Sequence, residues 1–220
     1  MLFSSATSAL LALLTCGYIV DARPTTDNHL ISRELNNTIS AITIHESCNS
    51  TERSLLTKAL QDTYAVAGAA RDYVVEHGAD DVYKRYFGNA PTFTVIGAFE
   101  HLLSGNKTGV LLRCDDIDQN CHQDGWNGHW RGTNATLETV ICPLSYETRK
   151  PIEEFCQSGY TVTESSPSYY FATDLIHRLY HVPTINNNII SHYADEYADC
   201  LALAIRRPQQ AVYNTHTLQV

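Results

Sequence analysis

His177-Arg178-Leu179-Tyr180-His181 sets two imidazoles four residues apart. On a helix that spacing is about one turn, so both rings can converge on one metal ion. It is the spacing of the H-E-x-x-H metal motif, whose second residue takes a proton from metal-bound water. Here an arginine holds that position. A guanidinium stays protonated at physiological pH and cannot act as the base. The segment therefore points to a site that holds zinc without hydrolysing anything. The spacing carries little weight by itself. With 10 His in 220 residues, random placement gives roughly 0.4 such pairs per chain. A helix carrying two partly exposed histidines accounts for it as well.

The compartment decides what the cysteines mean. Leu10 to Val20 is an apolar run after a Ser/Thr-rich start, and Val20-Asp21-Ala22 offers small residues at the positions signal peptidase reads. Residues 1–22 are expected to be a cleaved signal peptide, which makes the chain secreted. The run is short for a membrane span and holds Thr15 and Gly17, so no membrane insertion is expected after cleavage. Of 7 cysteines, Cys16 leaves with that peptide. Cys48, Cys114, Cys121, Cys142, Cys156 and Cys200 remain as an even set in an oxidising compartment. Sequence alone does not choose among their pairings. Sequons at Asn36, Asn49, Asn106 and Asn134 are candidate glycosylation sites. The formal net charge of −9 argues against nucleic acid or an anionic membrane as main partner.

The elements that must position the histidines follow from periodicity. Residues 23–47 are polar and read as a flexible N-terminal arm. Asn49-Ser50-Thr51-Glu52 resembles a capping box. Leu56, Leu60, Thr63, Ala67, Ala70 and Val74 then recur at helical spacing until Gly78. Shorter helices are expected over Asp80 to Phe87 and Phe93 to Leu103. Val110 to Cys114 and Ala135 to Cys142 read as strands, with an Asp/Asn/Gly-rich loop between them as far as Trp130. Helical pattern returns from Tyr169 to Val182, where Pro183 stops it, and again from Ser191 to Ile205. The expectation is an α+β, mainly helical domain with a small antiparallel sheet, stabilised by disulfides.

Longer motifs now bear on the histidine pair. Tyr86-Phe87-Gly88, the segment from Cys114-Asp115-Asp116 to Cys121, Gly128 to Thr136, and Thr139-Val140-Ile141-Cys142 resemble a fungal family of major allergens and pH-regulated antigens, the zincophores. Asp174 to Pro183 and His192-Tyr193-Ala194-Asp195 resemble it too. The likeness spans roughly Cys48 to Ala204. It implies a fungal antigen, secreted or cell-wall-associated, that scavenges extracellular zinc. The partners implied are a cell-surface zinc transporter and host proteins such as fibrinogen. More distantly the region is similar to deuterolysins, the aspzincin metalloendopeptidases, which implies a zincin-like domain over residues 48–205.

In that pattern an acidic third ligand lies about 11 residues past the second histidine, and His192 stands there. The ligand set implied for Zn2+ is His177, His181 and His192. Asp195 is the third ligand in place of His192, a fourth ligand, an acceptor orienting a ring N–H, or an ordinary helix-start carboxylate. The resemblance further implies disulfides Cys48–Cys114 and Cys121–Cys142, and leaves Cys200 for Cys156. Residues 206–220 do not resemble the family's tail, so a truncated or misread terminus is expected there, and His216 within it is weak evidence. His129 reads as loop packing, His122 and Asp124 as solvated. Losing a general base costs about 10²- to 10⁴-fold. An active metalloendopeptidase would need Glu196 as substitute base. A mostly imidazole site should release zinc as pH falls through about 6.5.

Overall fold

The computed structural model describes residues 41–155, 157 and 159–220. The expected signal peptide, Asn36 and Cys156 lie outside them. The chain opens with β1, Thr43–Ile44. It continues through α1, Ser50–His77, α2, Asp81–Phe87, and α3, Thr92–Ser104. Strands β2, Leu111–Arg113, β3, Gly128–Trp130, and β4, Glu138–Ile141, follow. The remainder is α4, Pro143–Thr148, α5, Phe171–Leu179, α6, Pro183–Asn186, α7, Tyr197–Arg206, α8, Pro208–Ala211, and α9, Thr215–Gln219.

The long helix α1 begins where its sequence says it should. The Asn49 side chain accepts from the Thr51 and Glu52 amides while Glu52 accepts from the Asn49 amide, satisfying amides that the first turn leaves unpaired. Its stripe of Leu56, Leu60, Tyr64 and Ala67 is fully buried, and α1 packs against α3 and α5. Thr63 Oγ1 sits between Ala59 O at 2.7 Å and Ala172 O at 3.0 Å, tying α1 to the start of α5.

The sheet is mixed, which corrects the antiparallel expectation. Its order is β1-β2-β4-β3, with β1 parallel to β2, β2 parallel to β4, and only β3 antiparallel to β4. The connection from β2 to β4 is long enough to cross over and run in the same direction. Within it, residues 128–130, expected as loop, pair along the outer side of β4 and become an edge strand. The expected arm also ends earlier than residue 47, because Ile42 is buried and Thr43–Ile44 join the sheet. Disulfides Cys48–Cys114 and Cys121–Cys142 brace the two ends of this region. The sequon asparagines Asn49, Asn106 and Asn134 are exposed.

Residues 206–220 are built into the fold. Ala211, Val212 and Leu218 are buried, and Asn214, fully buried, acts as a clamp. Its Oδ1 accepts from the amides of Tyr193 and Ala194, and its Nδ2 donates to Ala194 O. Ser191 also bridges to residue 214. These bonds hold residues 191–195 extended, so the last long helix begins at Tyr197 instead of Ser191. Cys200 is a buried free thiol against Asn214, and Cys156, its expected partner, lies outside the described residues.

Candidate metal centre

Helix α5 buries Leu175, Ile176 and Leu179 in the core, which turns His177 to the opposite side. The helix ends at Leu179, and His181 follows in a tightened turn whose amide bonds to Arg178 O. The two imidazoles still meet: His177 Nε2 and His181 Nε2 are 3.1 Å apart. The extended segment clamped by Asn214 brings in His192, whose Nε2 is 3.3 Å from His181 Nε2. A tetrahedral zinc ion with Zn–N bonds of about 2.0–2.1 Å separates its ligand nitrogens by about 3.3 Å. The two separations from His181 Nε2 match that spacing, and one ligand nitrogen from each of the three rings lies within 4.8 Å of the others.

Acceptors stand beside two of the outer ring nitrogens. His177 Nδ1 lies 3.2 Å from Gln219 Oε1, an acceptor whose amide nitrogen donates to Ser168 Oγ. His192 Nδ1 lies 3.0 Å from Asp195 Oδ1. In both rings these acceptors favour a proton on Nδ1, which leaves Nε2 with the lone pair a metal takes. Burial first, and then the neighbouring His181, His216 and His192, push His177 down to about 2. Burial and then His192, Arg178 and His216 push His181 down to about 4. Both imidazoles are held neutral, the form that binds metal. Trp130 stacks on His181 with ring centroids 6.1 Å apart.

Asp195 stands on the outer side of His192. Its side chain is 68% exposed and contacts the ring nitrogen remote from the cluster, so it orients His192 and is not grouped with the three Nε2 atoms. His216, discounted in the sequence, forms a wall of the site with its ring centroid 4.7 Å from His177 and 5.1 Å from His192. Its Nδ1 is 3.1 Å from Asp195 Oδ1. That distance fits an ion pair but the angle does not make a hydrogen bond, leaving a buried nitrogen unsatisfied. Gln219 and Asn214 were missed for the same reason as His216: no local pattern marks a residue that acts across the fold.

Arg178 is buried, and its direction is set by Asp174 one turn earlier. Its Nε and one terminal nitrogen bond the two carboxylate oxygens at 2.7 and 3.2 Å. Arg149 reaches the same carboxylate at 3.3 Å. Gly128 lets the guanidinium pass under β3, because a Cβ there would fall 2.7 Å from an Arg178 terminal nitrogen and clash with Val140 O. Glu196 is exposed and lines a different groove, with Tyr193, Asp199 and Arg206. His129 is buried beside Asp118 at 3.3 Å. Its proximity to Cys121 and Cys142 is no metal site, since those sulfurs are spent on a disulfide. His122 and Asp124 are exposed.

The sequence and the fold both have known relatives. A family model described as "HRXXH: Putative peptidase family" matches residues 2–220. Antigen 1 of Emericella nidulans is 45% identical over 181 residues, covering 82% of this chain and 65% of that protein. Major allergen Asp f 2 of Aspergillus fumigatus is 41% identical over 182 residues, covering 82% of this chain and 59% of the allergen. The chain thus spans about three fifths to two thirds of these relatives' length. Among solved structures, a zinc peptidase from Grifola frondosa shares the fold, with a TM-score of 0.55 and 18% identity over 78% of this chain and 94% of that one.

Proposed function

This chain belongs to the HRXXH family, and from that premise we propose that it holds one zinc ion on His177, His181 and His192 and does not cleave peptides. The observation that carries the reading is that His181 Nε2 lies 3.1 Å from His177 Nε2 and 3.3 Å from His192 Nε2, with Gln219 Oε1 and Asp195 Oδ1 beside the Nδ1 atoms of the outer two rings. Bound zinc supplies a Lewis acid that accepts imidazole lone pairs. The chain does the rest. Gln219 and Asp195 fix the tautomers of His177 and His192. Asn214 holds the backbone that carries His192 in place. Trp130 and His216 wall the cluster.

Arg178 takes the position of a general base and offers only donors. Glu196, the substitute base a metalloendopeptidase reading needs, is exposed and lines the neighbouring groove with Asp195, so the donor-only Arg178 is what supports the non-catalytic reading. The biological role that fits is zinc sequestration by a secreted fungal antigen, with delivery to a cell-surface transporter and contact with host proteins such as fibrinogen as extensions of that proposal. No helix among the described residues is long and apolar enough to cross a membrane.

Zinc stoichiometry and affinity measured on the wild type, His177→Ala and His192→Ala test the site. One zinc per chain, lost or strongly weakened in both variants, is expected. Unchanged zinc binding in either variant refutes the ligand set. Chelator-sensitive hydrolysis of an unfolded protein substrate by the zinc-loaded protein would refute the non-catalytic half.

A further inference from the structure

Beside the histidines lies a cleft of about 400 Å³ walled by Trp126, Trp130, Arg149, Asp174, Arg178 and His181, among others. Its charges do not balance. Arg149 and Arg178 share the single carboxylate of Asp174, so two permanent cations face one anion. Among the described residues lining the cleft, Asp174 is the only carboxylate. The three side chains are no more than 13% exposed, so water screens the surplus poorly. Arg149 makes one long bond to Asp174, and its Nε is buried with no hydrogen-bond partner.

We propose that this cleft binds a carboxylate, its anionic group held by the Arg149–Arg178 pair and its apolar part set between Trp126 and Trp130. The chemistry selects this class. One surplus positive charge matches one carboxylate, and a planar guanidinium pairs with a planar carboxylate through parallel N–H donors. The tryptophan faces suit the apolar part of such a molecule. A cleft of this size accepts a small acid or the last residues of a peptide. The site rests on Arg149 and Arg178, so it stands whether or not zinc occupies the histidines.

The two tryptophans of the chain are both in this cleft, so intrinsic fluorescence reports on it directly. The full chain, zinc-loaded and separately chelated, is titrated with N-acetyl-leucine, N-acetyl-leucinamide, acetyl-Ala-Ala-Leu with a free or amidated terminus, and sulfate. Saturable fluorescence changes are expected with the free acids and not with the amides. Whichever free acid binds tighter, the single residue or the peptide, identifies the source. Arg149→Gln is expected to weaken acid binding at least roughly tenfold, the scale of one charge-assisted hydrogen bond, and Arg149→Lys to restore part of it. Should Arg149→Gln fail to fold, the contrast of acid with amide in the wild type decides. Equal binding of acid and amide, no saturation by about 10 mM acid, or sulfate binding tighter than either acid overturns the proposal. Acid binding in a protein that takes up no zinc would uphold the proposal while the zinc reading fails. Zinc uptake without acid binding would do the reverse.

Discussion

Removing Asp174 should cost far more stability than removing Arg178, although the two form one ion pair. Asp174 has a side chain 3% exposed and receives bonds from Arg178 and Arg149, themselves 8% and 13% exposed. Asp174→Ala strands two buried guanidiniums that cannot discharge. Breaking a buried pair by deleting one partner costs about 3–5 kcal/mol, against a total stability of about 5–15 kcal/mol for a domain. Arg178→Met leaves Asp174 paired with Arg149, one charge against one, and fills the space with an apolar chain. That loss should be about 1–2 kcal/mol. The assay is urea unfolding at neutral pH, followed by far-ultraviolet circular dichroism so that the tryptophan environment does not bias the result. The double variant Asp174→Ala/Arg178→Met should recover part of the single Asp174→Ala loss. Equal losses in the two single variants, or a loss below about 1 kcal/mol for Asp174→Ala, would refute the shared-carboxylate account.

Two further outcomes follow from the same geometry. His177 and His181 are pushed down to about 2 and about 4, whereas in the unfolded chain both titrate near about 6.5. The unfolded state therefore binds more protons between about pH 6.5 and about pH 4, and the metal-free protein loses stability as pH falls through that window, by up to about 1.4 kcal/mol per pH unit for each ring. Urea midpoints across that range check it, and a flat profile would contradict the burial of neutral imidazoles. Gly128→Ala would press a methyl group on Arg178 and Val140 O, costing about 1–3 kcal/mol as overpacking does. Unfolding measurements should show that loss, and an unchanged midpoint would mean that the guanidinium does not pass under β3.

The part of the site that a local pattern encodes was legible. His177 and His181 are four residues apart, where an amphipathic helix carrying His177 runs into the turn carrying His181, and Asn49 with Glu52 marks the start of α1 from four adjacent letters. The parts that depend on distant contacts were not. Residues 191–195 carry helix-compatible letters, yet Asn214 captures their amides and keeps them extended. Its own sequence neighbourhood, Tyr213-Asn214-Thr215-His216, gives no sign of that role. His216 and Gln219 reach the histidines for the same reason. β3 was hidden because Gly128-His129-Trp130 is too short to show alternation and gains its pairing from β4. Acid release of zinc near pH 6.5 follows from exposed histidines, whereas burial of His177 and His181 moves proton competition at those two rings to lower pH.

X-ray absorption at the zinc K-edge of the stoichiometrically loaded protein tests the central claim most directly. Three imidazole nitrogens at about 2.0–2.1 Å, with the outer-ring scattering that imidazoles give, are predicted for the wild type, and one fewer for His192→Ala. A sulfur ligand, or a first shell dominated by carboxylate oxygen, would contradict a zinc centre built on His177, His181 and His192.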